Sequence, residues 1–122
     1  MPVTIKSQLK FSPDIDLIVT GTVYIDGTSA LIMTDANGER IAMGSVNANH
    51  MAKVAELTMA NPNVVVIKDY SENEGMLKTL VEAKIVSIPV STAQAQFVMF
   101  YICDIIHPDI IEEIRIINEG KE

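Results

Sequence analysis

Apolar and polar residues alternate along the first half of the chain. Between residues 16 and 25, Leu17, Val19, Val23 and Ile25 alternate with Thr20, Thr22 and Tyr24. A period of two is typical of a strand with one buried face, and Gly21 predicts a bulge or a close backbone approach. Asp26-Gly27 predicts a two-residue hairpin turn, and residues 35–38 predict a second turn of the same chemistry. We therefore expect a three-stranded antiparallel meander, whose second and third strands cover residues 30–34 and 40–46.

A run of β-branched apolar residues replaces this alternation at residues 64–67. Such a run predicts a strand with both faces covered. Ser71 and Glu74 have the spacing of a capping box, so we expect a helix to begin at that point. Its apolar stripe consists of Met76, Leu77, Leu80 and Val81. Tyr70 precedes the cap and is expected to pack as a hydrophobic staple on Gly75 or its neighbours.

Weaker signals define two further elements before this helix. Residues 1–13 predict an extended arm or an edge strand, which Pro13 ends. Residues 51–60 have helical spacing of apolar positions, and Asn47 and Asn49 are the candidate N-caps. We expect a short helix there.

The last third of the chain is rich in apolar residues. Residues 85–90 contain Pro89 and predict an edge strand or an extended connection. Residues 96–103 are apolar on both alternating faces, which predicts a strand in the middle of a sheet. Residues 107–120 predict a helix, because proline and acidic residues suit its first turn. A strand over residues 114–117 is the alternative, since isoleucine favours strands.

Together these elements predict one α+β domain over residues 1–122, with a mostly antiparallel sheet and two to three helices packed against it. Apolar residues make up 48% of the chain and charged residues 20%, which suits a globular domain. The first ten residues lack the apolar region of a signal peptide. No stretch has the roughly 20 apolar residues of a membrane span. A lone Cys103 cannot form an internal disulfide, so we expect a cytoplasmic protein with a packed thiol.

The net charge of −7 argues against a basic surface that binds nucleic-acid phosphates. It suits docking onto a basic partner. Three acids near the expected helix start and three isoleucines of the tail are the candidate contacts, the isoleucines as a homodimer surface. The candidate interaction surface is therefore Asp69, Tyr70, Glu72, Glu74, Ile110, Ile114 and Ile117.

Motifs for chemistry are weak. Cys103 and His107 are four residues apart, but a catalytic pair would need a helix there, and a packed thiol is the simpler interpretation. His107, Asp109 and Glu112 are the best metal-ligand set, yet helix capping explains them equally. No glycine-rich phosphate loop is present in the sequence. We therefore assign no catalytic, cofactor-binding or metal-binding residue and expect a protein that is not an enzyme.

Several segments resemble small proteins of unknown function from bacterial phages and conjugative elements. The similar parts, about half of the chain, are Val46-Asn47, the run from Val66-Ile67-Lys68-Asp69-Tyr70-Ser71 through Val81-Glu82-Ala83, and the strand around residues 97–102. The resemblance implies an accessory protein that binds a host protein, for instance to counter a defence system. The alternative is a homo-oligomer that sequesters a small ligand or nucleotide. Its pocket would lie between the sheet and the helix expected to start at Ser71, or at a subunit interface, with Arg40, Lys68, Lys78 and Lys84 as the available cations.

Overall fold

Two antiparallel sheets carry the fold of the computed structural model, which describes residues 3–48, 51–95 and 97–120. The strands are β1 Val3–Leu9, β2 Ser12–Val23, β3 Ser29–Thr34, β4 Arg40–Met43, β5 Val64–Ile67, β6 Ser91–Ala95 and β7 Val98–Asp104. The helices are α1 Ala52–Ala60, α2 Met76–Glu82 and α3 Pro108–Glu119, and residues Ser71–Asn73 form a 3₁₀ turn. One sheet has the order β1-β2-β3-β4 and the other β5-β7-β6. The α+β class and the antiparallel meander are confirmed, and the strands divide between two sheets.

The two hairpins of the meander use the same three-residue loop. The Gly27 amide donates to the Tyr24 carbonyl at 2.8 Å, and the Tyr24 amide donates to the Thr28 carbonyl at 2.8 Å. Asp35 and Gly38 repeat these bonds in the second loop. Each glycine has a positive φ, which completes a turn of this length. The two-residue turn predicted at Asp26-Gly27 was therefore wrong, and β2 ends at Val23, two residues earlier than expected.

The predicted arm is an edge strand, but Pro13 does not end it. Pro13 lies inside β2, and β1 pairs with β2 over most of its length. The other edge of β1 lies against the chain around α2. There the Gln8 amide donates to the Thr79 hydroxyl at 3.0 Å, and the Lys10 amide donates to the Glu74 carbonyl at 2.8 Å. These bonds occupy backbone groups that an edge strand would otherwise expose.

Residues 44–46 join the two sheets. The Val46 amide donates to the Val66 carbonyl at 3.0 Å, and the Lys68 amide donates to the Gly44 carbonyl at 3.2 Å. The Asn73 side chain is only 1% exposed, and its amide donates to the Met43 carbonyl. The chain after β4 therefore leaves the first sheet and pairs with β5 of the second.

The buried side chains form two clusters, one on each face of the three-stranded sheet. In β5, Val65 and Ile67 belong to the larger cluster, and Val64 and Val66 belong to the smaller one. In β7 the same division separates Cys103 from its neighbour Ile102. Both strands are thus covered on both faces, and β7 is the central strand, as their apolar composition predicted.

The helix after β5 begins later than the capping-box motif predicted. Ser71 lies in the 3₁₀ turn and accepts the Glu74 amide through its backbone carbonyl rather than its hydroxyl. The residue before α2 is Gly75, and Asp69 Oδ1 accepts from the amides of Gly75 and Leu77 at 2.9 and 3.2 Å. Asp69 therefore supplies the cap from the end of the preceding strand, and the capping-box prediction was wrong. The predicted apolar stripe of this helix does face the core.

Pairing with β7 creates a strand that the sequence pattern did not indicate. β6 contains Ser91–Ala95 and lies beside β7. Residues 85–90 run as an extended connection, with a β-bridge between Val86 and Ile105.

The helix α1 is confirmed, although Asn47 does not cap it. Met51 precedes the helix and makes no capping side-chain bond. The other candidate cap, Asn49, lies outside the described residues, as does Gln96.

The C-terminal tail is helical, as its proline and acids predicted. His107 caps α3, because its Nδ1 accepts from the Asp109 amide at 3.2 Å. The helix packs on β2 where Gly21 leaves room. A Cβ at Gly21 would lie 2.9 Å from Ile110 Cγ2 and 3.0 Å from Ile114 Cγ1. Gly21 therefore marks a close approach, one of the two roles expected for it.

Candidate interaction surface

The acids of residues 69–74 do not form an open acidic patch. Glu72 pairs with Lys68, and Glu74 lies 3.4 Å from Lys10 Nζ. The hydrogen bond from Lys68 lowers the pKa of the exposed Glu72 carboxyl. Asp69 is occupied by the amides at the start of α2. Two lysines and two backbone amides thus compensate the charge that this segment shows in the sequence.

Tyr70 does not act as a staple on the following helix. Its ring meets the Phe100 ring edge-on, with centroids 6.3 Å apart, and Lys68 Nζ lies 5.5 Å from the Tyr70 centroid. The half-buried Tyr70 packs against the smaller cluster, on the face of the second sheet that also contacts α1. Its main role here is packing.

Two of the three tail isoleucines face the protein interior. Ile110 and Ile114 are buried against β2, and Ile117 is half-buried. The outward side of α3 instead carries Arg115, which pairs with Glu112 and Glu119. The expected dimer surface on Ile110 and Ile114 was therefore wrong for this fold, because these side chains complete the core of their own chain.

Sequence reasoning missed an uncharged segment that supplies much of the exposed apolar surface. Residues 85–103 include no Asp, Glu, Lys or Arg, a run of 19 residues in a chain that is 20% charged. Its exposed large apolar side chains are Ile88, Val90, Phe97 and Met99. Phe97, at the turn between β6 and β7, is 99% exposed. The absence of charge over this run was visible in the sequence and is the signal that could have found it.

A groove beside α2 lies where the ligand-binding alternative placed its pocket. The groove lies between the helix and the extended connection, and its volume is about 350 Å³. The lining is Asp69, Leu77, Lys78, Val81, Glu82, Ile88 and Pro89. Apolar walls with two acids and one lysine favour an apolar group over a phosphate. This groove therefore gives the nucleotide alternative no support.

Exposed carboxylates gather at one end of the four-stranded sheet. Because Ile18 pairs with Thr34, the start of β2 lies alongside the turn between β3 and β4. We call this region the acidic end; it consists of the exposed Asp14, Asp16 and Glu39 and the half-buried Asp35, whose Oδ1 accepts from the amides of Asn37 and Glu39. Asp16 is bonded to Lys6 at 2.7 Å, and this bond, with the nearby Asp14, raises the pKa of the Lys6 ammonium. Lys6 and Arg40 offset part of the charge, and the acids remain in excess.

The residues considered for catalysis or metal binding have structural positions. Cys103 is buried in the larger cluster, and His107 caps α3. In the ranges that the structure describes, no three side chains of His, Cys, Asp or Glu come together as a metal-binding group. Among the same residues, no helix combines the length and apolar character needed to cross a bilayer.

Burial makes Cys103 a testable marker of the core. Desolvation, with a smaller contribution from Asp104, raises the pKa of the Cys103 thiol from 9.0 to about 12. We expect a thiol-specific reagent to leave the native protein unmodified at neutral pH and to label it fully in denaturant. Because the unfolded thiol ionises near its ordinary pKa and the folded thiol does not, the free energy of unfolding should fall as pH rises above about 9.

Urea denaturation at neutral and alkaline pH measures this dependence. The variant Cys103→Ala is the control and should lose the part of the alkaline destabilisation that the thiol causes. Rapid labelling of the native protein would show that the thiol is accessible, contrary to its position in the core.

Comparisons with known protein families, with curated proteins and with solved structures give no match for this chain. The functional interpretation of this protein is therefore based on two of its surfaces. One is the acidic end of the four-stranded sheet, and the other is the uncharged segment at residues 85–103.

Proposed function

We propose that this protein is a non-enzymatic, cytoplasmic accessory protein of a phage or conjugative element, and that it binds a basic surface of a host protein through its acidic end. The excess of exposed carboxylates at one end of the four-stranded sheet is the observation that carries the proposal. The phage or conjugative context is itself part of the proposal, because it rests only on the resemblance noted for residues 66–83.

Electrostatics supports this assignment. A net charge of −7 attracts a basic partner over long distances and raises the rate of encounter. Among the described residues, Asp14 and Glu39 are exposed and form no ion pair, whereas Asp16 is paired with Lys6. The acids near α2 are paired with lysines or bonded to backbone amides. The acidic end is consequently the better place for charges that meet a partner. A buried unpaired cysteine is also typical of proteins in a reducing compartment.

Affinity capture from bacterial lysate tests the proposal. The immobilised protein is expected to retain a basic host protein at low salt and to release it as salt rises, because screening weakens exposed charge pairs. The double variant Asp14→Asn with Glu39→Gln should bind that protein about tenfold more weakly, through slower association. Asparagine tolerates the positive φ of Asp14, so the backbone is preserved.

The matched control is Glu56→Gln with Asp109→Asn, which removes the same charge away from the acidic end. This control should bind like the unmodified protein. An empty capture, equal weakening by both double variants, or turnover of a substrate by the purified protein would each overturn the proposal.

A further inference from the structure

The loop of the second hairpin contains the dipeptide Asn37-Gly38. Every other asparagine of the sequence precedes a residue that has a side chain. Such a side chain shields the backbone nitrogen of its own residue, and glycine has none. The Gly38 nitrogen is therefore the least hindered nucleophile that follows an asparagine carboxamide in this chain.

The loop leaves both groups accessible. Residues 36–40 are all exposed. The backbone amide of Asn37 donates to Asp35 Oδ1 at 2.9 Å, but among the residues that the structure describes none bonds to the Asn37 carboxamide. A Cβ at Gly38 would meet no heavy atom within 4 Å. Neither packing nor a side-chain hydrogen bond keeps the carboxamide away from the Gly38 nitrogen.

One hydrogen bond restrains the nucleophile. The Gly38 amide donates to the Asp35 carbonyl at 3.0 Å, and this bond must break before the nitrogen can turn toward Asn37 Cγ. It lies in a turn where residues 36–40 bury no side chain. Segments with exposed backbone bonds and few packing contacts open at a low cost in free energy. The fold therefore slows the attack without preventing it.

We propose that Asn37 is a site of spontaneous deamidation in the native protein, with water as the co-reactant. The Gly38 nitrogen loses its proton to hydroxide and attacks Asn37 Cγ, which closes a five-membered imide ring. The bond from Cγ to the carboxamide nitrogen breaks, and that nitrogen takes a proton from water and leaves as ammonia. Water then adds to one of the two ring carbonyls and reopens the ring. Aspartate or isoaspartate results, according to which ring bond to nitrogen breaks, so one water is consumed and one ammonia released.

The first hairpin offers a comparison within the same fold. Asp26-Gly27 occupies the corresponding place in a loop with the same backbone bonds and the same positive φ at glycine. A carboxylate is a poorer electrophile than a carboxamide. Asp26 Oδ1 also accepts from the Thr28 amide at 3.0 Å and from the Thr28 hydroxyl at 2.6 Å. The residue type and its lack of a side-chain bond, rather than the turn itself, thus select Asn37.

Deamidation adds one negative charge to the net charge of −7. The new carboxylate lies between Asp35 and Glu39, within the acidic end. Isoaspartate also adds one carbon to the main chain of the loop. The consequence for a basic partner rests on the proposed function, whereas the modification itself does not.

Peptide mapping by mass spectrometry tests the site. The purified full chain is kept at mildly alkaline pH and sampled over time. The peptide with Asn37 should gain the mass difference between a carboxamide and a carboxyl group at least about tenfold faster than the peptide of any other asparagine. An isoaspartyl methyltransferase should label the same peptide. On an anion exchanger, the aged protein should yield a more acidic species, for which Asn37→Asp supplies the standard.

Two controls separate the native reaction from general ageing. Asn37→Gln keeps the carboxamide but would require a six-membered ring, so the acidic species should not accumulate. The same time course in urea measures the unfolded chain. Conversion of Asn37 in urea but not in the native protein would overturn the proposal, and so would equal rates at the other asparagines. Both are measured on the purified protein, so neither result bears on the capture of a host protein.

Discussion

Gly75→Ala is expected to lower the free energy of unfolding by about 3 kcal/mol or more, through backbone strain and overpacking together. Gly75 has a φ of 99°, in the region that residues with a side chain avoid. A Cβ at this position would also lie 2.4 Å from the Gln8 carbonyl oxygen and 3.1 Å from the Leu9 Cα. Both atoms belong to the backbone of β1, so relief requires α2 and the strand to separate.

Gly38→Ala is the matched control for this change. Gly38 has a φ of 82°, but a Cβ there would meet no heavy atom within 4 Å. Its replacement should therefore cost only the conformational strain, about 1–2 kcal/mol. Urea denaturation of both variants separates the two contributions. Equal losses at the two glycines would mean that the contact between Gly75 and β1 does not contribute to stability.

Ile114→Ala is the second change with a large expected effect. Ile114 is 1% exposed and packs beside Gly21 in the larger cluster. Removing three carbons from a buried isoleucine typically costs about 2–5 kcal/mol, because a cavity remains. We therefore expect a loss of about 3 kcal/mol in the free energy of unfolding, measured by urea denaturation at low protein concentration.

Ile116 lies on the same helix, and Ile116→Ala is the matched control for Ile114→Ala. Ile116 is 57% exposed, so its replacement should change the free energy of unfolding by less than about 0.5 kcal/mol. Both changes raise helix propensity alike, so the difference between them reports burial. If Ile114→Ala left stability intact and instead weakened self-association, α3 would be an interface after all, as the sequence had indicated.

The three confirmed helices and the meander show how far local pattern reaches. Alternation indicates which residues of a strand can share a buried face, and helical spacing does the same for α2 and α3. Proline and acids at the start of the tail correctly favoured a helix over a strand. Gly21 was correctly singled out as a possible close approach, although the sequence did not identify Ile110 and Ile114 as the side chains that approach it.

The candidate surface was predicted less well than the fold. Acids and isoleucines were chosen from their spacing along the chain, but charge pairing and burial depend on residues distant in sequence. Lys10, more than sixty positions away, lies beside Glu74, and β2 buries Ile110 and Ile114. The uncharged run at residues 85–103 was present in the sequence, yet its edge strand becomes visible only through its pairing with β7.

The sequence by itself determined the α+β class, the paired strands of the meander, the doubly buried strands β5 and β7, and the helical tail. These features depend on side-chain periodicity and turn residues within a few positions of one another. Only the tertiary structure decided that Asp69 caps α2, that residues 44–46 connect two sheets, and that residues 91–95 form the strand β6. Each of these depends on hydrogen bonds whose partners the local pattern does not specify.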